Sequence, residues 1–171
     1  MNDSYTLIFT KEQMQQKIKR IAYQIAEDNY DEDEIIIAGI GRNSEGYALA
    51  FKIYDALEHI IPGKIRLSHI DVNKNNPSES PAKISLSKED VQDKVIVLVD
   101  DVSNSGRTLI HAIKPFLELA PHKIQIAVLV ERTHKKFPIQ PDFVGLSLST
   151  TLQEHITVII SKEGEEGIYL S

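Results

Sequence analysis

The stretch that decides the fold is Val95–Thr108, VIVLVDDVSNSGRT. It begins with five apolar residues, a run typical of a strand that is buried on both faces of a parallel sheet. Two adjacent carboxylates, Asp100 and Asp101, follow the apolar run, and a small polar loop, Ser103–Gly106, leads into a helix near Thr108. Ligands of open α/β sheets bind beyond the carboxyl ends of the strands, so this segment predicts a ligand site.

The loop and the acidic pair suit two different parts of one ligand. A loop that feeds a helix N-terminus presents free backbone N–H groups and the positive end of the helix dipole, which together bind phosphate. The carboxylates would repel a phosphate, but they suit vicinal hydroxyls or a hydrated cation. A phosphate and a diol together describe a ribose phosphate. The predicted contacts are Val102, Ser103, Asn104, Ser105, Gly106, Arg107 and Thr108.

Other phosphate-binding signatures are absent from the sequence. No G-x-x-x-x-G-K-[ST] occurs, which excludes a P-loop nucleotidase. Gly39-Ile40-Gly41 followed by Gly46 does not match G-x-G-x-x-G, so a Rossmann dinucleotide site is not supported. Taken separately, the acidic pair is an exposed strand end and the Ser/Asn/Gly cluster is an ordinary turn. Their order along the chain is what favours a binding site.

Helix and strand patterns alternate along the chain, which predicts an α/β fold with an open, mainly parallel twisted sheet flanked by helices. Thr10 and Gln13 have capping-box spacing, and helical periodicity predicts a helix over Lys11–Glu27. Further helices are predicted over Tyr47–Glu58 and Thr108–Ala120. The predicted strands are Ile35–Gly39, Lys64–Ile70, Lys94–Val99, Ile124–Val130, Ile156–Ile160 and Gly167–Leu170.

The 171 residues predict a single domain, with an N-terminal helix region over 1–34, a core over 35–130, and a small hood with closing strands over 131–171. The segment Asp71–Asp93 contains NKNNPSESP and has no apolar periodicity before Ile84. It predicts a long mobile loop, which is either an active-site lid or a surface excursion.

The composition excludes several classes of protein. The chain has no cysteine, its six histidines lack metal-ligand spacing, and we predict no zinc site. The first residues lack a signal-peptide pattern and no apolar run is long enough to cross a bilayer, so we predict a cytoplasmic protein without membrane contact. The net charge of −6 argues against a surface coated for nonspecific nucleic-acid binding.

Val95–Thr108 resembles the signature with which type I phosphoribosyltransferases bind 5-phosphoribosyl-1-pyrophosphate (PRPP). The resemblance implies that Asp100 and Asp101 are catalytic and contact the ribose hydroxyls, directly or through Mg²⁺, while the following loop wraps the 5-phosphate. Members hold pyrophosphate in a loop after the first core strand, where this chain has Gly39–Gly46, GIGRNSEG. Arg42 is the natural anion contact there. Its neighbours Gly41 and Asn43 are also implied to bind substrate.

The segment Ala127–Gly145, AVLVERTHKKFPIQPDFVG, resembles the bifunctional pyrimidine-operon regulators that have uracil phosphoribosyltransferase activity. In that subfamily this segment helps form the hood over the base, which implies that Arg132 and His134 contact substrate. The resemblance implies a Mg²⁺-dependent transfer from PRPP to a nucleobase, with uracil favoured, and a homo-oligomer. These regulators also bind messenger RNA, a role that the net charge of −6 disfavours here.

One departure from the subfamily, and one difference from the purine-using relatives, bear on the alternatives. The subfamily has an arginine followed by two aspartates where this chain has His69-Ile70-Asp71, and His69 would assist pyrophosphate departure more weakly near neutral pH. This difference favours a catalytically weak or inactive regulator that binds a nucleotide and RNA. Purine-using relatives carry a carboxylate where Asn104 stands. Asn104 cannot accept a proton, which argues against the third candidate, a purine-type transferase.

Overall fold

The computed structural model describes residues 5–151 and 153–171. Along the chain these residues form β1 (Thr6–Thr10), α1 (Lys11–Asp28), β2 (Ile35–Ile40), α2 (Glu45–Ile60), β3 (Ile65–Asp71), β4 (Lys83–Ile84), α3 (Lys88–Val91), β5 (Val95–Ser103), α4 (Arg107–Leu117), β6 (Lys123–Arg132), β7 (Phe143–Leu148), β8 (Ile156–Ile159) and β9 (Gly167–Leu170). None of the helices within these ranges combines the length and the apolarity that a membrane span requires.

Six strands form a central sheet in the order β4-β3-β2-β5-β6-β7. Its strand pairs are parallel, except that β4 pairs antiparallel with the end of β3. All six residues of β2 and the first six of β5 are buried, because helices cover both faces of the sheet. The predicted α/β fold with a mainly parallel sheet flanked by helices is confirmed.

Two apolar layers stabilise the sheet, one on each face. Helices α1 and α2 bury Ile21, Ile25 and Leu49 against one face, together with alternate residues of β2 and β5. Helix α4 covers the other face with Phe116 and Leu109, both nearly inaccessible to solvent. The strand residues therefore alternate between the two layers, as the pleat of a sheet requires.

A second, three-stranded antiparallel sheet, in the order β1-β9-β8, forms the hood. The closing strands β8 and β9 are where the sequence predicted them, whereas β1 was missed. Strand β1 is short, largely exposed and joined directly to α1, so it carries no separate apolar pattern. Its last residue, Thr10, is also the N-cap of α1, and the capping box with Gln13 is present as predicted.

Several element boundaries differ from the prediction. Helix α2 begins at Glu45, and β5 continues through the acidic pair to Ser103 because it keeps pairing with β6. Helix α4 ends at Leu117 and not at Ala120, whose φ of 53° is incompatible with a right-handed helix. Strand β7 was missed because its neighbourhood is rich in Pro and Lys.

The predicted loop Asp71–Asp93 is not irregular throughout. Its second half contains β4 and the single-turn helix α3, which Ser87 caps. Leu86 and Val91 are buried in the layer beneath α4, so this half is folded onto the core. Its longest stretch without helix or strand is residues 72–82, and the mobility of that part stays a prediction.

Candidate active site

The carboxyl ends of β2, β5 and β6 meet at one edge of the central sheet, because these strands are parallel neighbours. This edge brings together the two segments that the sequence singled out, Gly39–Gly46 after β2 and the loop after β5. Their approach is close: a Cβ atom at Gly46 would lie 2.7 Å from Oδ1 of Asp100. The predicted phosphate loop and the predicted pyrophosphate loop therefore border one site.

Asp100 and Asp101 are held at the centre of this edge. Asp100 is 2% exposed, and its Oδ1 accepts a hydrogen bond of 3.1 Å from the backbone N–H of Asp101. The Lys74 ammonium lies 2.9 Å from Oδ1 of Asp100 and 3.7 Å from Oδ1 of Asp101. Lys74 belongs to residues 72–82, and no sequence motif indicated that it reaches the acidic pair.

The environment shifts the pKa values of this cluster. Burial, followed by the charge of Asp101, raises the pKa of Asp100 to about 8, against the opposing effect of Lys74. Partial burial would lower the pKa of Lys74, but the two carboxylates outweigh it and the net shift is upward. The unliganded site therefore keeps positive charge or protons beside both acids. A cation or the hydroxyl groups of a ligand can take the place of that charge or of those protons.

The loop after β5 has the geometry of a phosphate cradle. Gly106 has a φ of 81° and is the N-cap of α4, which has no capping hydrogen bond from a side chain. The first N–H groups of the helix are therefore available to an anion, apart from that of Arg107, which donates to Oγ of Ser105 at 3.3 Å. A cavity of about 70 Å³ lies inside the loop, and its lining includes Asp100, Ser103, Gly106 and Thr108.

The segment after β6 covers the outside of this loop. The backbone N–H groups of Lys136 and Phe137 both donate to the carbonyl of Ser105, at 3.0 and 3.1 Å. Ile139 packs so tightly that a Cβ atom at Gly106 would lie 2.5 Å from its Cγ2. Gly106 is therefore required both by its backbone conformation and by its neighbour.

A second lysine that the sequence did not single out for the site contacts the phosphate loop. The Lys135 ammonium donates to Oγ of Ser103 at 2.7 Å and lies 3.3 Å from Oε1 of Glu131. Glu131 is opposite Ser103 in the β5–β6 ladder, so the contact joins the ends of the two strands.

The loop after β2 is open to solvent on its outer side. Gly41 has a φ of 79°, and its N–H donates to the carbonyl of Ile70 at 2.8 Å. Arg42 and Asn43 are exposed, and the backbone N–H of Arg42 donates to Oδ1 of Asp71 at 3.3 Å. Both side chains are therefore on the solvent side of the site, where an incoming anion can reach them.

His69 is beside this loop on β3. Its register partner on β2 is Gly39, and its ring meets that of Tyr47 edge-on at 6.2 Å. Its Nε2 lies 3.9 Å from Oδ2 of Asp71. The structure thus brings His69 to the border of the pyrophosphate loop, with a carboxylate nearby.

Arg132 and His134 occupy different positions in the hood. Arg132 is 6% exposed, and its guanidinium donates to Oγ1 of Thr150 and to the carbonyls of Thr151 and Glu154, at 2.8 to 3.1 Å. It fixes the segment before β8. His134 lines a cavity of about 660 Å³ between the phosphate loop and the hood, which Asn104, Arg107, His111, Arg132 and His155 also line.

A groove of about 710 Å³ lies elsewhere, between α1 and α2. Its lining includes Ile18, Tyr23 and Ile60, and it contains none of the predicted site residues. Because ligands of open α/β sheets bind at the carboxyl edge, the groove is not the candidate active site despite its size.

The donor atoms at the carboxyl edge fit Mg²⁺. Within residues 5–151 and 153–171, no group of three or more His, Cys, Asp and Glu side chains is arranged to hold a metal ion. The pair Asp100 and Asp101 offers hard oxygen ligands on one side only. Mg²⁺ that acts on phosphate substrates is commonly held by one or two carboxylates, with water and substrate oxygens completing the shell.

Comparison with known proteins agrees with this geometry. The phosphoribosyl transferase domain family matches residues 4–161. The Bifunctional protein PyrR of Clostridium acetobutylicum is 38% identical over 160 residues, which cover 90% of this chain and 89% of the relative. The protein of the same name from Ligilactobacillus salivarius is 30% identical, with coverage of 95% and 96%.

Solved structures share the fold. A hypoxanthine-guanine phosphoribosyltransferase from Bacillus anthracis superposes with a TM-score of 0.74 at 19% identity, covering 98% of each chain. The hypoxanthine phosphoribosyltransferase of Trypanosoma cruzi gives a TM-score of 0.74 at 15% identity, with coverage of 96% of this chain and 95% of that one. At this identity the similarity establishes the architecture, and the chemistry has to be argued from the site.

Proposed function

The chain belongs to the phosphoribosyl transferase family, and we propose that it transfers the 5-phosphoribosyl group of PRPP to uracil and releases pyrophosphate. The observation that carries this proposal is the acidic pair, Asp100 and Asp101, beside the uncapped start of α4. The carboxylates suit the vicinal ribose hydroxyls, and the helix start suits the 5-phosphate. One strand end thus offers a place to each half of a ribose phosphate.

The proposed reaction asks little covalent chemistry of the protein. The chain has to hold C1 of the ribose in line with the attacking nitrogen of the base, and to stabilise an oxocarbenium-like centre as pyrophosphate leaves. Asp100 and Asp101 act on the ring, while the Arg42 side chain and the backbone N–H of Asn43 receive the pyrophosphate at the turn that Gly41 forms. His69, at the border of the same loop, adds positive charge when it is protonated.

Mg²⁺ is the cofactor that we propose for this site, held by Asp100 and Asp101 directly or through water. When bound with PRPP it would neutralise charge on the departing pyrophosphate. Residues 72–82, which contact the acidic pair through Lys74, are the segment that we expect to close over the substrate and exclude water.

The preference for uracil has two supports. Asn104 lines the cavity between the phosphate loop and the hood, and its amide cannot accept a proton from a purine ring. The segment Ala127–Gly145 resembles the subfamily that uses uracil, and the relatives named PyrR match nearly the whole chain. The purine enzymes among the solved structures are too distant in sequence to favour a purine.

A base panel tests the proposal. The purified chain is incubated with PRPP and Mg²⁺ and with uracil, cytosine, adenine, guanine or hypoxanthine, and pyrophosphate release is measured. We expect release well above background with uracil and little with the purines. Release with hypoxanthine or guanine alone would instead establish the purine-type transferase.

The acidic pair can be tested by calorimetry. The double variant D100N/D101N should no longer bind PRPP in the presence of Mg²⁺, because neutral amides lack the negative charge that attracts the cation. The double variant D31N/D33N removes the same charge from the exposed loop before β2 and should bind PRPP like the unaltered chain. Unchanged binding by D100N/D101N would disprove the assignment of the site.

The second candidate is a regulator that keeps the nucleotide site and binds RNA. His69 favours it, because histidine supplies less positive charge than arginine near neutral pH. The relatives carry the word bifunctional in their names, and Lys135, Lys136 and Lys123 would be its basic residues, whereas Arg132 is buried and bonded within the hood. Absence of turnover with every base, together with RNA binding that weakens as salt rises, would establish this candidate.

We also propose that the protein is a homo-oligomer. Light scattering on the purified chain measures its oligomeric state.

A further inference from the structure

The acidic pair is neutralised by a cation from its own chain. The Lys74 ammonium lies 2.9 Å from Asp100 and 3.7 Å from Asp101, measured to Oδ1 of each. The side chain of Asp100 is only 3% exposed, so water solvates it poorly. A buried carboxylate needs a partner of opposite charge, and Lys74 is the cation that contacts both acids.

The ligands of this site require the same oxygen atoms. A divalent cation or the vicinal hydroxyls of a ribose would contact the carboxylates where the ammonium now lies. An ammonium and Mg²⁺ repel each other at such a short distance and cannot both coordinate the pair. We propose that Lys74 is a built-in competitor, which occupies the acidic pair in the unliganded protein and is displaced when metal and ribose bind. This inference rests on the function proposed for the site.

The segment that carries Lys74 is suited to such a displacement. It lies between β3 and β4, and residues 72–82 contain neither helix nor strand. The hydrogen bonds of its backbone N–H groups are local, from Asn75 and Asn76 to Oδ1 of Asn73 and from Glu79 to the carbonyl of Asn76. Its hydrogen bond to α4 is long, 3.5 Å from Nη2 of Arg107 to Oγ of Ser78. Departure of the ammonium from the acids would therefore free Lys74 and its polar neighbours, while Pro77 stays buried and Val72 and Ala82 stay packed against the core.

This arrangement gives Lys74 two effects on binding. It stabilises the empty site, because two adjacent carboxylates would otherwise repel each other. It also lowers the affinity for metal, because its contact with the pair has to be broken first. Metal entry therefore detaches Lys74 from the acids, and residues 72–82 can then close over the substrate.

Metal affinity is the direct test. Lys74→Met keeps the apolar stem and removes the charge, and Lys83→Met changes a lysine of β4, for which the structure gives no contact with the acids. Binding of Mn²⁺ alone is followed by electron paramagnetic resonance at pH 8.5, where Asp100 carries its charge more fully. We expect K74M to bind Mn²⁺ at least threefold more tightly than the unaltered chain, and K83M to match the unaltered chain. Equal or weaker binding by K74M would overturn the inference.

Hydrogen exchange gives a second readout. Addition of Mg²⁺ without PRPP should accelerate amide exchange in residues 73–76 of the unaltered chain, because the ammonium leaves the acids while no substrate is present for the segment to close over. In K74M this exchange should be fast before any metal is added. Unchanged or slower exchange in the unaltered chain with metal bound would contradict the displacement.

Failure of the proposed function looks different. In that case neither the unaltered chain nor K74M would bind PRPP at any metal concentration. If the unaltered chain binds PRPP and K74M binds metal no better, only the role given to Lys74 is wrong.

Discussion

Gly106 is the residue on which the phosphate loop most depends. It adopts a φ of 81° at the start of α4, and Cγ2 of Ile139 occupies the space that a Cβ atom at this position would need. Gly63 has almost the same φ, 78°, but a Cβ atom added to it would have no described atom within 4 Å. Substitutions at the two glycines therefore distinguish the effect of backbone strain from the effect of a steric clash with a neighbour.

Replacing Gly106 by alanine should destabilise the protein more than the same change at Gly63. Both variants place alanine in the left-handed region, at a cost of about 1–2 kcal/mol. Gly106→Ala also has to displace Ile139, so we expect a larger loss in the free energy of unfolding, measured in urea. PRPP binding should weaken only in Gly106→Ala. Equal losses in the two variants would mean that the Ile139 contact relaxes without cost.

Asp100 should make stability depend on pH. Its pKa is raised from 3.8 to about 8, so between these values the folded chain holds a proton that the unfolded chain has released. The free energy of unfolding should therefore fall as pH rises from about 4 to about 8. Asp90 and Glu166 have pKa values lowered to about 2, and their opposite effect is confined to more acidic solution.

Thermal melts between pH 5 and pH 9 measure this dependence. Asp100→Asn cannot titrate, so its melting temperature should fall less across the range than that of the unaltered chain. Parallel curves for the two proteins would show that Asp100 is ionised throughout.

The residues of a continuous motif were predictable, and their distant partners were not. Asp100, Ser103 and Gly106 follow one another in an order that has a chemical meaning. Lys74 and Lys135 reach Asp100 and Ser103 from 26 and 32 positions away, and the contacts arise only once the strands are assembled. A lysine in a polar segment looks the same in sequence whether it is solvated or paired.

At the level of elements, α2 connects the pyrophosphate loop to the hood. The carboxylate of Glu45, in the first turn of α2, accepts hydrogen bonds from the N–H groups of Ile160 and Ser161 and from Oγ of Ser161, at 2.6 to 3.0 Å. Carboxylates are favourable at a helix N-terminus, so Glu45 serves both the helix and the end of β8. The helix start that follows the pyrophosphate loop is thus tied to the sheet above the site.

Glu45→Ala should loosen the hood. The two N–H groups would lose their acceptor, at a cost of about 1–3 kcal/mol in stability. Amide exchange over residues 156–161 should accelerate, while that of the central strands stays slow. Asp55→Ala, an exposed position on the same helix, is the control. Unchanged exchange in Glu45→Ala would show that other contacts hold β8.

Elements with strong periodicity were predicted well. Helix α1 has an apolar stripe and a capping box, and β2 is apolar throughout. Strand β7 was missed because it follows a segment rich in Pro and Lys, and β1 was missed because its partner, β9, is far along the chain. Pairing of this kind is a property of the assembled sheet, and a local window of sequence cannot reveal it.

For the whole molecule, stability depends on the two apolar layers. Phe116 is completely buried beneath the central sheet, while its neighbour Leu117 is 64% exposed. Phe116→Ala should lower the free energy of unfolding by about 3–5 kcal/mol, because it opens a cavity in a packed layer. Leu117→Ala should change it little. Urea denaturation measures both, and similar values for the two would contradict the arrangement of this layer.

The alternation of helices and strands predicted the α/β fold class, but it did not predict which strands form the hood. The sequence assigned the hood to the C-terminal part, but its sheet also includes β1 from the beginning of the described chain. This participation is invisible in a segment of five residues, TLIFT.

The pairing of β1 with β9 also bears on how the protein acquires its site during synthesis. The strand that leaves the ribosome first has to wait for the strand that leaves last among the described residues. Contacts between residues so far apart along the chain form slowly, because the entropy lost in closing a long loop must be overcome before the contacts form. The central sheet can assemble earlier, so a chain still being translated would form the phosphate loop before the hood sheet exists. The completed hood is therefore a structural sign that translation has passed Leu170.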